Sequence, residues 1–320
     1  MKNFSKITNK VALVTGSAGF IGSHLADKLL SAGYSVVGVD NFSLGTYNNI
    51  KHLEKDSNFT QIELDLVDKA KLKDVFSNFN INIVFHFAAN SDVRLGLTNR
   101  NIDLSSNFHT THNILESIVE NNISEIVFSS TSAIYGSLEG DISENQGPLF
   151  PTSLYGSSKL AAEAFISVYC HLFEIKSWII RFPNVVGPRL THGVIFDFIN
   201  KLKKNPLKLE ILGDGKQNKP YLHVFDLLDA IAMVYEKTND TINVFNVGPQ
   251  DSTSVTDIAN YLIDSMSLPE VEKFYTGGQT GWPGDVPKFS YDIRKIRKLG
   301  WKPSFSSDEA VRKAIDDNLK

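Results

Sequence analysis

An apolar run, Val11-Ala-Leu-Val14, feeds directly into Thr15-Gly-Ser-Ala-Gly-Phe-Ile-Gly22, and no other stretch constrains the fold of this chain as strongly. Gly16, Gly19 and Gly22 fall at the spacing of a dinucleotide-binding turn between a strand and a helix. The first glycine permits the tight turn, the second lets backbone N–H groups approach a pyrophosphate, and the third lets the helix lie close on the strand. The phosphates then sit at the positive end of that helix, with Phe20 and Ile21 among the cofactor contacts.

Such a glycine pattern also arises by chance in flexible turns, so its context decides. A second β-prone run, Ser35 to Val39, ends in Asp40-Asn41, where an acidic side chain can bind the adenosine ribose hydroxyls. The alternative is an ordinary strand-turn-helix with a capping Asp. With helix and acid both in place, a dinucleotide site is the reading adopted. The charge of Asp40 would repel a 2′-phosphate, which favours NAD over NADP and counts against an NADPH-dependent carbonyl reductase.

The chain has 320 residues, 42% of them hydrophobic, enough for one large or two modest cores. Its net charge of −4 leaves no basic footprint for nucleic acid, and its single cysteine, Cys170, excludes an internal disulfide and fits a reducing compartment. Met1 to Lys10 is polar, without an apolar leader, and no run is long enough to span a bilayer. A cytoplasmic protein with no membrane partner and no metal site is expected.

Further along, Phe59 to Leu64 reads as a strand ending in Asp65-Leu66, where Asp65 either faces an adenine edge or caps the helix that begins near Asp68. Lys69 to Phe79 is an amphipathic helix. Ile83-Val-Phe-His-Phe-Ala-Ala89 is a strand whose small residues suit a close ligand, with His86 read as a satisfied core group rather than a catalyst. A helix from Asn107 to Asn121 and a strand from Glu125 to Ser130 follow. Strands alternating with helices imply a doubly wound parallel α/β sheet with ligands at the carboxyl ends of its strands, so the hydroxyls of Ser129 to Thr131 point into the cleft.

Tyr155-Gly-Ser-Ser-Lys159 opens a long helix running to about Phe173. At i and i+4 the phenol and the ammonium share a face, and a nearby positive charge favours the phenolate. With the Thr131 hydroxyl, the pair supplies the parts for moving a proton on a substrate alcohol while a hydride leaves the same carbon.

These residues together resemble the extended short-chain dehydrogenase/reductase family, in its nucleotide-sugar epimerase/dehydratase branch. The resemblance covers nearly the whole chain. It rests on Thr15 to Gly22, Asp40-Asn41, Asp65-Leu66, His86-Phe87-Ala88-Ala89, Ser129-Ser-Thr131 and Tyr155 to Lys159. It continues through Arg181-Phe182-Pro-Asn-Val-Val-Gly-Pro-Arg189, Gly213-Asp-Gly-Lys-Gln217, Pro283-Gly-Asp285 and Leu299-Gly-Trp-Lys-Pro303. It implies a Rossmann-type domain over 1–188, rejoined in part by 222–248, and a smaller nucleotide-sugar domain over most of 189–320. It also implies Tyr155 as acid/base, Lys159 tuning it and holding the nicotinamide ribose, and Thr131 on the substrate oxygen. Phe87, Ala88, Ala89, Asn107, Ser129 and Phe182 complete the expected NAD contacts. Ser132, Asn184, Arg189, Val194, Leu209, Ile211 and Lys219 are the expected substrate contacts, and a homodimer built on the helices carrying Tyr155 and Asn107 is expected.

Departures from the family pattern narrow the chemistry. The 4,6-dehydratases follow the threonine with Asp-Glu, and the decarboxylases place a Glu second after it; here those positions are Ser132 and Ala133. Elimination and decarboxylation are disfavoured, which leaves oxidation and reduction at a carbinol, most simply C4 of an NDP-sugar. Relatives carry diphosphate-binding arginines near Gln217-x-x and before Pro-Gly-Asp, where this chain has Lys219 and Trp282. Lysine keeps the charge without the fork, so Arg189 or Lys219 is expected to carry more of the phosphate binding, and Trp282 alternatively just packs. The leading expectation is a 4-epimerase with tightly held NAD, working through a 4-keto sugar in a pathway such as surface polysaccharide synthesis. A net C4 dehydrogenase uses the same residues. A non-catalytic NAD-binding regulator would not need Tyr155, Lys159 and Thr131.

Overall fold

The computed structural model describes residues 4, 10–138, 140–284, 286 and 288–320. Most of the polar stretch Met1 to Lys10, and Asp285 of the Pro-Gly-Asp motif, lie outside the described residues. Seven strands form the central sheet: β1 (Val11–Thr15), β2 (Ser35–Asp40), β3 (Phe59–Glu63), β4 (Ile83–His86), β5 (Glu125–Thr131), β6 (Lys176–Phe182) and β7 (Ile242–Asn246). The helices that matter below are α1 (Phe20–Ser31), α2 (Lys69–Asn78), α3 (Thr110–Glu120), α4 (Leu154–Phe173), α5 (Val194–Lys204), α6 (Val224–Lys237), α7 (Val255–Ser265) and α8 (Ser307–Leu319).

Every pairing in the sheet is parallel, in the order β7-β6-β5-β4-β1-β2-β3. This is the Rossmann-type doubly wound sheet that the strand-helix alternation implies. The direction of winding reverses between β1 and β4, and the crevice at their carboxyl ends is where such a sheet takes a ligand. Both faces are covered because the strands are apolar on both sides. Ala12, Val14, Phe85 and Val127 enter one core with Leu227 and Ile231 of α6; Leu13, Val84, Ile126 and Phe128 enter the other with Ile114 of α3 and Ile166 of α4. Within this layer His86 is fully buried and satisfied, its ring bonded to Thr15 Oγ1 (2.8 Å) and Thr111 Oγ1 (3.0 Å).

A third core belongs to the C-terminal part and joins α5, the strand Lys208–Ile211, α7 and α8. The stretch 189–320 is nonetheless divided. β7 closes one edge of the central sheet, and Tyr291, Ile293, Ile296 and Trp301 pack into the core beneath it. The expected helix from Asn107 begins instead with a wider π-helical turn, Leu104–His109, before α3. Thr110 and Thr111 turn their hydroxyls back onto the carbonyls of Ser106 (2.7 Å) and Asn107 (2.6 Å), a local bonding that competes with regular helix. Among the described residues no helix is long and apolar enough to cross a membrane.

Candidate active site

The carboxyl ends of the strands open on one continuous cavity of about 610 Å³. Gly16, Gly19, Phe20, Ile21, Gly22, Asp40, Asn41, Asp65, Leu66, Phe87, Ala88 and Ala89 all line it. The glycine spacing has a steric cause. Gly16 sits at φ +72°, and a Cβ there would lie 2.8 Å from the Ala88 backbone nitrogen; a Cβ on Gly22 would fall 2.0 Å from the Gly16 carbonyl oxygen. Only glycine lets turn, helix and strand end close to this distance.

Asp40 ends β2 with its carboxylate accepting from the backbone N–H groups of Ala18 (2.9 Å) and Phe42 (2.8 Å). Burial pushes its pKa up, against the pull of those bonds. The helix that follows Asp65 is capped by Asp68, which accepts from Lys71 N (3.2 Å), so Asp65 is left on the cavity wall, accepting from Asn41 Nδ2 (3.2 Å). A buried anion at the end of the second strand, beside a glycine turn that a side chain would fill, fits the adenosine half of NAD and opposes a 2′-phosphate.

Asn107 spends its amide on protein groups. It does not line the cavity but braces its wall from behind, accepting from Asn90 N (2.7 Å) and donating to Asp103 Oδ1 (3.2 Å) and Ser158 Oγ (3.0 Å).

On the other side of the cleft, Ser153 caps α4 by accepting from Gly156 N (3.0 Å), which places Tyr155 in the first turn and Lys159 one turn later. Both line the cavity, with Ser129, Thr131, Ser132 and Phe182. The Lys159 ammonium donates to the Ser129 carbonyl (2.8 Å) and lies 4.7 Å over the Phe128 ring. Burial lowers its pKa to about 7, with the Glu163 carboxylate pulling the other way. Burial likewise pushes the Tyr155 phenol up to about 12; a hydrogen bond with Thr131 opposes this and the charge of Asp103 adds to it. The ammonium expected to draw the phenol down is therefore committed to the end of β5. Beneath the pair, Arg181 forks onto Glu163 (3.0 and 2.6 Å) and fixes α4 against β6.

The sugar side departs most from expectation. Asn184, Val194 and Lys219 line the cavity, but Leu209 and Ile211 are fully buried in the third core. The alternation of Lys208–Ile211 turns these two inward, and Leu212, just past the strand, supplies the wall instead. Arg189, expected to meet phosphate, is paired on the other side of its backbone. Its guanidinium is drawn outward to Asp27 of α1 (2.9 Å) and lies 3.4 Å from His52. It is not a cavity residue.

Further wall residues were not among the expected contacts, although Gln217 closes the Gly213 to Gln217 motif. Asn90 to Arg94, His192, Asp197, Gln217 and Trp282 all line the cavity, and Arg94 joins Asp92 to Asp197 of α5 (3.4 Å each) across the cleft. The loop after β4 was reachable from the rule that ligands meet the carboxyl ends of parallel strands; Trp282 was visible only as a departure from a pattern.

Comparison with known proteins agrees with this geometry. The family model described as the NAD dependent epimerase/dehydratase family matches residues 12–248. A UDP-glucose 4-epimerase of Mycolicibacterium smegmatis is 29% identical over 310 residues, covering 95% of this chain and 97% of the relative. The dTDP-D-glucose 4,6-dehydratase of Mus musculus is 30% identical over 316 residues, covering 96% and 88%. The crystal structure of a UDP-galactose 4-epimerase superimposes with a TM-score of 0.85 at 36% identity, covering 96% of this chain and 98% of that one.

Proposed function

Because this chain belongs to the NAD dependent epimerase/dehydratase family, we propose that, within that NAD-dependent chemistry, it is a 4-epimerase of a nucleotide-diphosphate sugar. The observation that carries this choice over dehydration is the turn after Thr131. Ser132-Ala133-Ile-Tyr135 forms a single 3-10 turn closed by Ala133 N donating to Thr131 Oγ1 (3.1 Å), and it presents no carboxyl acid to a leaving hydroxyl. Asp40, Asp65, Asp92 and Asp197 are the carboxylates on the cavity wall among the described residues, and none belongs to that turn.

Bound NAD supplies the two-electron oxidation and reduction of C4. The chain's own residues do the rest. Tyr155 Oη takes the C4 hydroxyl proton and returns it to the same oxygen after the ketone has turned over. Thr131 holds that oxygen, and Lys159 anchors the catalytic helix to β5 while offering its ammonium to the cofactor ribose. Burial favours the protonated phenol, the form that returns the proton to the alkoxide, while the Lys159 ammonium one turn along α4 favours the phenolate that must take the C4 proton first. Asp40 supports NAD rather than its 2′-phosphate.

We further infer a homodimer through α4, where Phe165, Val168, Leu172 and Phe173 leave a row of exposed apolar side chains; sedimentation of the purified protein tests this. The test of the reaction is incubation of NAD-loaded protein with UDP-, dTDP-, GDP- and CDP-sugars, with products read by NMR. A mixture of C4 epimers is expected. A released 4-keto sugar with reduced nicotinamide left on the protein makes it a net dehydrogenase instead, and a dehydrated 6-deoxy product overturns the argument from Ser132 and Ala133.

A further inference from the structure

Arg94, on the loop after β4, is the one arginine on the cavity wall among the described residues. An arginine beside a reacting sugar suggests an acidic substituent, but this one is already bracketed by two carboxylates. Asp92 Oδ1 accepts from the Arg94 backbone N–H (3.1 Å) and lies 3.4 Å from its Nε, while Asp197 Oδ2 lies 3.4 Å from its Nη2. Both carboxylates, like Arg94, face the cavity.

This bridge is held from both ends. Asn90 accepts from Asp92 N (3.3 Å) and donates to the Asp92 carbonyl (3.2 Å) and to the buried Asp103 (2.9 Å). Across the cleft, Gly193 at φ +98° turns the chain into α5, whose first turn holds Asp197. β4 pairs with β5, which ends in Thr131, so the loop carrying Asp92 and Arg94 emerges beside the group that holds the C4 oxygen.

Two carboxylates against one guanidinium leave a negative charge in excess, and the neighbouring groups do not offset it. His192, on the same wall, shares a hydrogen bond with Thr191 Oγ1 (3.1 Å), and burial holds its pKa below the usual value against the pull of Asp92 and Asp197. Lys201, further along α5, is drawn to Glu210 (3.0 Å), and Lys159 is committed to the Ser129 carbonyl. The two aspartate side chains are 25% and 35% exposed, so water screens their charge less than on an open surface.

We infer that the bridge of Asp92, Arg94 and Asp197 is a specificity element that admits an uncharged sugar and rejects one bearing a carboxylate. This rests on the sugar-nucleotide reading given above and names the substrate class of its sugar end. An ionised carboxylate only accepts hydrogen bonds, so a sugar hydroxyl or an N-acetyl N–H satisfies Asp92 or Asp197. A hexuronate brings acceptors alone and meets the excess negative charge. It reaches Arg94 only by displacing one aspartate, which is then left unpaired in a partly buried wall.

The test is calorimetry on NAD-loaded protein, first with UDP, dTDP, GDP and CDP, then with the glucose and glucuronic acid conjugates of the diphosphate that binds most tightly. The glucose conjugate is expected to bind roughly 30-fold more tightly. Asp197→Asn keeps the shape of the side chain and removes the excess charge, so this preference should fall about tenfold, through stronger binding of the glucuronic acid conjugate. A cleft that excludes the carboxylate by size alone keeps its full preference in Asp197→Asn, and that result overturns the inference. A parent protein that binds the glucuronic acid conjugate within threefold of the glucose conjugate, or better, also overturns it, which decides the matter should the variant not fold. Binding needs no turnover, so a preference that Asp197→Asn relaxes in a protein that forms no C4 epimers sinks only the epimerase reading. Equal binding of the two conjugates by an active epimerase sinks only this inference. Failure of every diphosphate to bind removes the sugar-nucleotide reading and this inference with it.

Discussion

The two halves of the cavity are built on different principles. The cofactor half is made of backbone: a glycine at φ +72°, a helix so close that a Cβ would overlap a carbonyl, and a carboxylate held by two N–H groups. The sugar half is made of side chains whose reach is set elsewhere, by an ion pair at Asp27, by the inward face of a short strand, and by a ring under a lysine. A backbone-built site admits few residue types and therefore writes itself into the sequence. A side-chain-built site admits many, and its members are told from core residues only once the neighbours are in place.

The sharpest test lies where the halves meet. Tyr155→Phe is expected to lower kcat by about 10³-fold, the usual worth of a positioned acid/base, while bound NAD is retained. Cofactor loss together with activity would place Tyr155 in the cofactor half and break the division. Next in size is Leu209→Ala, whose side chain fills the third core. About 2–5 kcal/mol of stability should be lost in denaturant titration with KM altered less than twofold; a large change in KM at unchanged stability would return Leu209 to the cavity. Gly22→Ala tests the backbone side, where the added methyl group meets the Gly16 carbonyl. A loss of about 1–3 kcal/mol is expected, with NAD content falling and affinity for a nucleoside diphosphate spared.

This asymmetry explains what could be read beforehand. Val11 to Gly22, Asp40 and the Tyr155/Lys159 spacing fixed the sheet, the cofactor side and the proton-transfer pair because each depends on local geometry with few solutions. Leu209 and Ile211 are expected substrate contacts only through the resemblance, and in a two-faced strand such apolar members are those that enter the core. Trp282 stood out only by being where an arginine was expected, and its ring meets Lys219, 63 positions earlier in the sequence numbering. Asn107 is an expected NAD contact only through the family resemblance, and in the structure its amide serves Asn90, Asp103 and Ser158.

A smaller effect separates structure from chemistry at Lys159. Burial lowers its pKa to about 7 from the usual 10.5. Below pH 7 folded and unfolded chains both hold the proton, and the full cost of burying the charge is present. Between about 7 and 10.5 the unfolded chain keeps a proton that the folded chain has released, so this group's contribution to stability rises with pH. The cofactor-free protein should accordingly gain melting temperature relative to Lys159→Met as pH is raised from 6.5 to 9. A difference that stays flat would mean the ammonium remains charged throughout, held by Glu163 and the Ser129 carbonyl.

The smallest expected effect is the most exacting for the comparison. Arg189 sits within the most family-like stretch of the sugar half, and its charge alone would recommend it for a phosphate. The structure spends that charge on Asp27, in a pair about a quarter to a third exposed, and a pair of that kind is worth at most about 1 kcal/mol. Arg189→Ala should therefore leave diphosphate affinity and KM within twofold and lower stability only slightly. If it weakens the diphosphate tenfold or more, the guanidinium must swing from α1 into the cleft on binding. The sugar half would then be a site assembled by its ligand, in contrast to a cofactor half that the backbone has already set.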